Sequence, residues 1–266
     1  MNFEERLEFL KDLVISAGSI MLGAAEDRGV DFDSKAGTAN FVTKYDVATQ
    51  NYLIEGIKKA IPDAVFIAEE KENSSSVLSE EHCFIIDPID GTSNFMNGLN
   101  HSAISLAYIS RGESVFGAIY DPYKKELFSA AAGGGAYLNG KPIHVSHREG
   151  ERAIAVFGSS PYNKAEYGER TFALIKELFY NFGDVRRLGS AALDLAYLAA
   201  GRTDLFFELK LSVWDYAAGE LILKEAGGIV TQIDGTPLSL EAPSSVFAAN
   251  GLNHQKLLAI AEKYKA

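Results

Sequence analysis

Residues 87–95 read Asp-Pro-Ile-Asp-Gly-Thr-Ser-Asn-Phe and follow the apolar run Cys83-Phe84-Ile85-Ile86. A short buried strand is expected to end there and to deliver two carboxylates, Asp87 and Asp90, into a turn. Pro88 sets φ just after the first acid, and Gly91 permits a sharp exit after the second. Two acidic side chains at one strand end repel each other unless a positive charge lies between them. A hard divalent cation such as Mg²⁺ suits that place, because it takes a few carboxylates together with phosphate oxygens and water. Pro-x-Asp-Gly alone would indicate no more than a surface turn. The longer Asp-Pro-x-Asp-Gly-Thr fixes five positions. At roughly 5% usage per residue, its chance occurrence in a chain this long is about one in ten thousand. That favours the metal site.

Other acids stand at element ends. Glu69 follows the apolar Val65–Ala68, and Asp215 opens a helical stretch. By residue chemistry alone, Asp215 is first an N-cap, its carboxylate meeting free backbone N–H groups. Asp46 reads equally as the N-cap of a second helix, and Thr92 as the cap of whatever helix follows Gly91. Glu69 alone could be a solvated acid, and Glu70 beside it is read as one. Gly91-Thr92 and Gly189-Ser190-Ala191 are small-residue helix starts where a phosphate could approach backbone N–H groups. The second, taken alone, is more often an ordinary cap. His144 and His147 lie in a Pro-containing loop without a third ligand, so a zinc role is set aside for them and for His101. Gly133–Gly135 lacks the strand–helix context of a nucleotide loop and reads as a turn.

Taken together, the segments Phe66-Ile67-Ala68-Glu69-Glu70, Asp87–Phe95 and Trp214-Asp215-Tyr216-Ala217-Ala218-Gly219 resemble the signatures of the inositol monophosphatase family, a group of Mg²⁺-dependent, Li⁺-sensitive sugar phosphatases. Phe41-Val42-Thr43-Lys44-Tyr45-Asp46 and Gly189-Ser190-Ala191-Ala192 are weaker matches, and all lie in family order. The resemblance implies an α+β fold, a layered αβαβα sandwich of the inositol monophosphatase and fructose bisphosphatase type, assembled as a homodimer. It assigns Glu69, Asp87 and the Ile89 carbonyl to one cation, and Asp87, Asp90 and Asp215 to a second. A third, weakly held cation would share Glu69, with Lys35 in the loop beside it. Two such cations, about 4 Å apart, suit in-line phosphoryl transfer to water. Thr92 would orient the nucleophile with Asp46 as its proton acceptor. Gly91, Thr92, Gly189, Ser190 and Ala191 would bind the phosphate. Glu208 would contact substrate hydroxyls, with Ser159 or Ser160 as a further polar contact.

The implied substrate is a small sugar or inositol phosphate. Fructose bisphosphate, NADP and adenosine bisphosphate are alternatives on the same scaffold, and Ser93-Asn94-Phe95 resembles the inositol phosphatase branch. A non-catalytic regulator that kept the fold and binds a protein or RNA partner is the competing class.

Several elements must position these residues. Phe3, Leu7, Leu10, Val14, Ala17 and Met21 predict an amphipathic first helix, and a second is expected to start near Asp46 or Thr49 and end before Pro62. Strands are expected at Val65–Ala68 and Phe84–Asp87, then antiparallel at Ser102–Ile109, Val115–Tyr120 and Glu126–Ala130. After Gly150 the pattern alternates: strand Ala153–Phe157, helices Glu166–Phe179 and Ser190–Ala200, strand Leu205–Glu208 and helix Asp215–Ala226, stopped by Gly227-Gly228. Residue 150 is therefore the expected boundary between an N-terminal half, 1–150, carrying most metal ligands, and a C-terminal half, 151–266, packed as one catalytic unit.

The chain has 266 residues with 25 Lys+Arg against 36 Asp+Glu, a formal charge of −11. That balance argues against a nucleic-acid-gripping protein. It also obliges an anionic substrate to find local positive charge, which a bound metal supplies. Cys83 is the only cysteine and sits in an apolar run, so a buried packing role is expected. Neither a basic leader nor a membrane-length apolar run is evident, so the expected location is the cytoplasm, away from the membrane.

Overall fold

The computed structural model describes residues 1–23, 32–34, 41–71 and 73–264. The first helix forms as α1 (Phe3–Gly23), whose apolar spacing buries Leu7, Leu10, Val14, Ala17 and Met21 on one face. Phe3 is the exception and stays exposed at the helix start. An antiparallel ribbon of β1 (Phe32–Ser34) and β2 (Phe41–Thr43) leads into α2 (Lys44–Ala60). The N-cap of α2 is Thr43 and not Asp46. The Thr43 hydroxyl accepts from the Tyr45 N–H, while the Asp46 carboxylate accepts from the Thr43 N–H at 2.8 Å. This reciprocal box satisfies amide groups that a single cap at Asp46 would leave open.

Next come β3 (Val65–Ala68), β4 (Cys83–Asp90) and the short α3 (Thr92–Met96). The meander β5 (Ala103–Ser110), β6 (Glu113–Asp121), β7 (Glu126–Ala131), β8 (Ala136–Leu138) and β9 (Lys141–Ile143) completes a seven-stranded sheet in sequence order from β3 to β9. Only the β3–β4 pair is parallel. β8 and β9 carry no sequence signature, since three residues each are too few to show alternation.

β4 also runs further than expected. All eight of its residues are buried, and its register with β5 shifts between Asp87 and Asp90. Pro88, which has no N–H to give the ladder, falls at that irregularity. The expected turn is thus an irregular strand end that keeps both acids inside the protein.

The remaining elements are β10 (Ile154–Phe157), α4 (Lys164–Asn181), β11 (Asp184–Arg186), α5 (Ala191–Ala199), β12 (Leu205–Leu211), α6 (Val213–Glu225), β13 (Gly228–Thr231), β14 (Ser244–Asn250) and α7 (His254–Ala261). They build a five-stranded sheet ordered β11-β10-β12-β14-β13. Glu208 does not end its strand. β12 continues to Leu211, with a register break after Glu208. Asp215 does not open its helix either: Ser212 is the N-cap, and Asp215, three residues on, accepts the Ser212 N–H at 2.7 Å.

Three apolar clusters stack these pieces. One joins α1 and α2 to the outer face of the seven-stranded sheet through Leu10, Leu53, Phe84, Leu106 and Phe116. The second fills the space between the two sheets, where α5 and α6 lie, and contains Cys83, Leu195, Phe206 and Ile222. The third seats α4 and α7 on the far face of the five-stranded sheet through Leu174, Phe207, Phe247 and Leu257. The result is an α+β, αβαβα sandwich. Among the described residues, no helix is long and apolar enough to cross a membrane.

Candidate active site

The irregular end of β4, the end of β3 and the starts of α3, α5 and α6 open onto one cavity. Glu69, Asp87, Ile89, Asp90, Gly91, Thr92, Gly189, Ser190, Ala191, Glu208 and Asp215 all line it. Asp46 sits directly behind Thr92, at the start of α2.

Asp87, Asp90 and Asp215 each present an oxygen, and the three oxygens lie within 4.8 Å of one another. Burial pushes Asp87 well above the usual carboxylate range, and the charges of Glu69, Asp90 and Asp215 add to the shift. Asp215 is raised for the same reasons, burial first and then Asp90 and Glu69, against a smaller opposing effect from the Ser212 N–H. Asp90 is raised to about 6 by burial; its hydrogen bonds to Ser190 and to the backbone of α5 restrain it. Stacked acids without a counterion share protons or bind a cation. The oxygen-only donor set suits a hard divalent cation. Glu69 stands outside the tight trio but close enough to raise both Asp87 and Asp215.

Smaller contacts orient these acids. The Ile89 N–H donates to Asp87 Oδ1 at 3.0 Å. The Thr92 hydroxyl has two acceptors, the Ile89 carbonyl at 3.0 Å and Asp46 Oδ1 at 3.4 Å. Thr92 is therefore not a cap. The N-cap position of α3 is Gly91, which adopts φ 87°, a left-handed conformation that glycine reaches without strain. A Cβ there would also stand 3.0 Å from the Gly189 carbonyl oxygen.

The Gly189-Ser190-Ala191 start is more committed than expected. Ser190 is the N-cap of α5, but its hydroxyl also donates to Asp90 Oδ2, and the Ala192 N–H donates to the same oxygen at 2.8 Å. The positive end of α5 thus already carries a carboxylate.

At the other end of the cavity, Glu208 accepts the Ser160 N–H at 2.6 Å and, less closely, its hydroxyl at 3.3 Å. Of the two serines considered, Ser160 is the partner, in a left-handed turn with φ 42°. Burial raises Glu208 to about 7, opposed by the Ser160 N–H and Arg187. Gly158 makes room for this carboxylate, since a Cβ there would lie 1.8 Å from Glu208 Oε2.

Lys35 lies outside the described residues. His101 packs edge-on against Tyr197 with ring centres 5.7 Å apart, and like His144 and His147 it does not line the cavity. Arg187, Asp194 and Tyr162 do line it and escaped the sequence reading. For Asp194 a signal was available, a single acid inside the apolar run Ala191-Ala192-Leu193-Asp194-Leu195-Ala196. Arg187 and Tyr162 sit in connecting segments with no pattern to flag them.

Comparisons with known proteins bear on the family and the fold. The "Nus factor SuhB" of Pasteurella multocida is 36% identical over 233 residues, covering 88% of this chain and 87% of that protein. The protein of the same name in Escherichia coli K12 is 40% identical over 202 residues, covering 76% of this chain and 75% of its own. Among solved structures, the Thermotoga maritima IMPase superposes with a TM-score of 0.86 at 33% identity, covering 98% of both chains. The inositol monophosphatase from Anabaena gives 0.85 at 32% identity, covering 99% of this chain and 98% of its own. A family model described as "Inositol monophosphatase family" matches residues 2–266, and this chain belongs to that family.

Proposed function

We propose that this chain is a Mg²⁺-dependent phosphomonoesterase that hydrolyses a small sugar or inositol phosphate by in-line attack of water. The observation that carries the reading is the convergence of buried Asp87 and Asp90 and half-buried Asp215, from two different layers, into one oxygen cluster. Glu69, Asp87 and the Ile89 carbonyl would hold one Mg²⁺, and Asp87, Asp90 and Asp215 a second. Glu69 would share in a weaker third, for about two to three ions per site. When bound, these ions supply the charge that activates water and eases departure of the ester oxygen.

The protein's own groups handle the proton and the orientation. Asp46 Oδ2 is tied by the Thr43 N–H, so Oδ1 faces the Thr92 hydroxyl. Thr92 can then orient the attacking water and pass its proton toward Asp46. Backbone N–H groups at Gly91 and Thr92 would receive phosphate oxygens, whereas Ser190 and Ala191 would act chiefly by holding Asp90. Glu208 accepts hydrogen bonds from the hydroxyls of the alcohol half.

A phosphate-release screen over inositol monophosphate, fructose bisphosphate, NADP and adenosine bisphosphate, with Mg²⁺ and with chelator, tests the reading. Mg²⁺-dependent release from the first is expected, with uncompetitive inhibition by Li⁺. Release from one of the others would change the substrate, and release from none would remove the enzyme. The relatives' name, Nus factor, supports a second reading, a regulatory binding protein on the same fold. Because of it, the expectation of no nucleic-acid partner is not carried forward. We further propose a homodimer in the cytoplasm, for which light scattering and cell fractionation are the measurements.

A further inference from the structure

Asp194 is an acid the proposed chemistry does not use. It lies in the first turn of α5, only 1% exposed, and lines the same cavity as Glu208 and the acidic trio. Its Oδ1 is buried and has no hydrogen-bond partner. Helical side chains lean toward the N-terminus of their helix, which here directs the carboxyl back over the first turn of α5 and the cavity. A buried polar atom without a partner is rare in a folded protein and calls for a ligand or a strain account.

The neighbours select the kind of ligand. Asp194 is not one of the three acids whose oxygens cluster within 4.8 Å, so it is no part of that cation set. Burial raises Asp194, with Asp90 and Glu208 adding and Arg187 opposing, so it brings none of the positive charge that a phosphate oxygen seeks. An ammonium group would meet Arg187, whose charge acts on both Asp194 and Glu208. A neutral donor remains, and Glu208 stands close enough to act on Asp194.

We propose that Asp194 is a second acceptor for substrate hydroxyls, paired with Glu208 to favour polyhydroxylated phosphate esters over hydroxyl-poor ones. This rests on the phosphomonoesterase reading. The two acceptors sit on different elements, α5 and β12, so an alcohol with several hydroxyls can satisfy both while one with none leaves Asp194 unpartnered.

Steady-state kinetics of Asp194→Leu and Asp194→Asn on inositol monophosphate and on para-nitrophenyl phosphate test it, with melting temperatures measured on metal-free protein. For Asp194→Leu, KM for the inositol ester should rise about tenfold with kcat within about twofold, and the aryl ester should be unaffected. Asp194→Asn, which keeps a neutral acceptor, should show a smaller rise. The melting temperature of either variant should equal or exceed that of the parent, since a buried orphan acid has been removed. Equal losses on both esters, no change on either, or a lowered melting temperature would assign Asp194 to the scaffold and overturn the proposal. If Asp194→Leu does not fold, the same criteria apply to Asp194→Asn. A parent protein that hydrolyses neither ester would sink the phosphatase reading itself, and this inference with it.

Discussion

Asp90 and Glu208 are buried in the same cavity, yet their surroundings differ in kind. Burial raises Asp90 to about 6 against donors from Ser190 and the first turn of α5, and its charge in turn raises Asp87 and Asp215. Glu208 is held by one local turn, through Ser160, in a space that Gly158 leaves open. Acids that repel one another are poor scaffolding, so the first end has reason to exist only with a cation present. Glu208 is raised to about 7 mainly by burial, with a smaller push from Asp90, while the Ser160 N–H and Arg187 oppose the shift. On the proposed reading, one cavity offers a place for charge and a place for hydroxyls.

The sharpest way to break this contrast is Asp90→Asn. On the proposed reading it lowers kcat at least about a hundredfold at saturating Mg²⁺ while the fold survives. A folded variant that keeps more than about a tenth of parental kcat would mean that Asp90 does not serve the chemistry.

Glu208→Gln should act on the other half only. KM for inositol monophosphate is expected to rise about tenfold, with an aryl phosphate nearly unchanged, because a charge-assisted bond to a hydroxyl is lost. Equal losses on both esters would move Glu208 to the metal end, and no loss on either would leave it a buried bystander.

Gly158→Ala sharpens the same point without touching an acid. A methyl group 1.8 Å from Glu208 Oε2 must displace that carboxylate. A KM rise of about threefold to tenfold on the inositol ester alone is expected, with a melting temperature lowered by a few degrees, about 2–4 °C. An unchanged KM would show that the placement of Glu208 is not critical.

The smallest effect concerns pH. Asp90 at about 6 and Glu208 at about 7 both stand above their ordinary values of 3.8 and 4.5. The metal-free folded chain therefore binds more protons than the unfolded one in that window. Its stabilising contribution is full below about pH 4 and is lost as pH rises through 6 to 7. Melting temperature in chelator should fall from about pH 5 to about pH 8, and added Mg²⁺ should raise it more at the higher pH, where it no longer competes with protons. Metal-free protein that gains stability over this range would show that the acids are paired internally.

Local signals were strong where one residue type meets one requirement. The apolar run before Asp87 marks β4, and the periodic leucines of α1 mark its buried face. The helices α2 and α6 start before the acids expected to open them because Thr43 and Ser212 take the cap while Asp46 and Asp215 sit inside the first turn. An acid and a serine or threonine three apart are equally good caps on paper. The backbone hydrogen bonds decide between them.

The sequence by itself determined the family, the layered alternation of elements and which acids gather near their ends, because these follow from local pattern and residue chemistry. Only the tertiary structure decided that Ser190 and the first turn of α5 grip Asp90, that Ser160 and not Ser159 holds Glu208, and that Asp194 faces the cavity without a partner. Ser190 and Asp90 are separated by 100 residues, and Ser160 and Glu208 by 48. No local preference encodes such pairings. They arise where two sheets and the helices between them are packed, and the cost of leaving a buried polar group unpaired selects among the arrangements that packing allows.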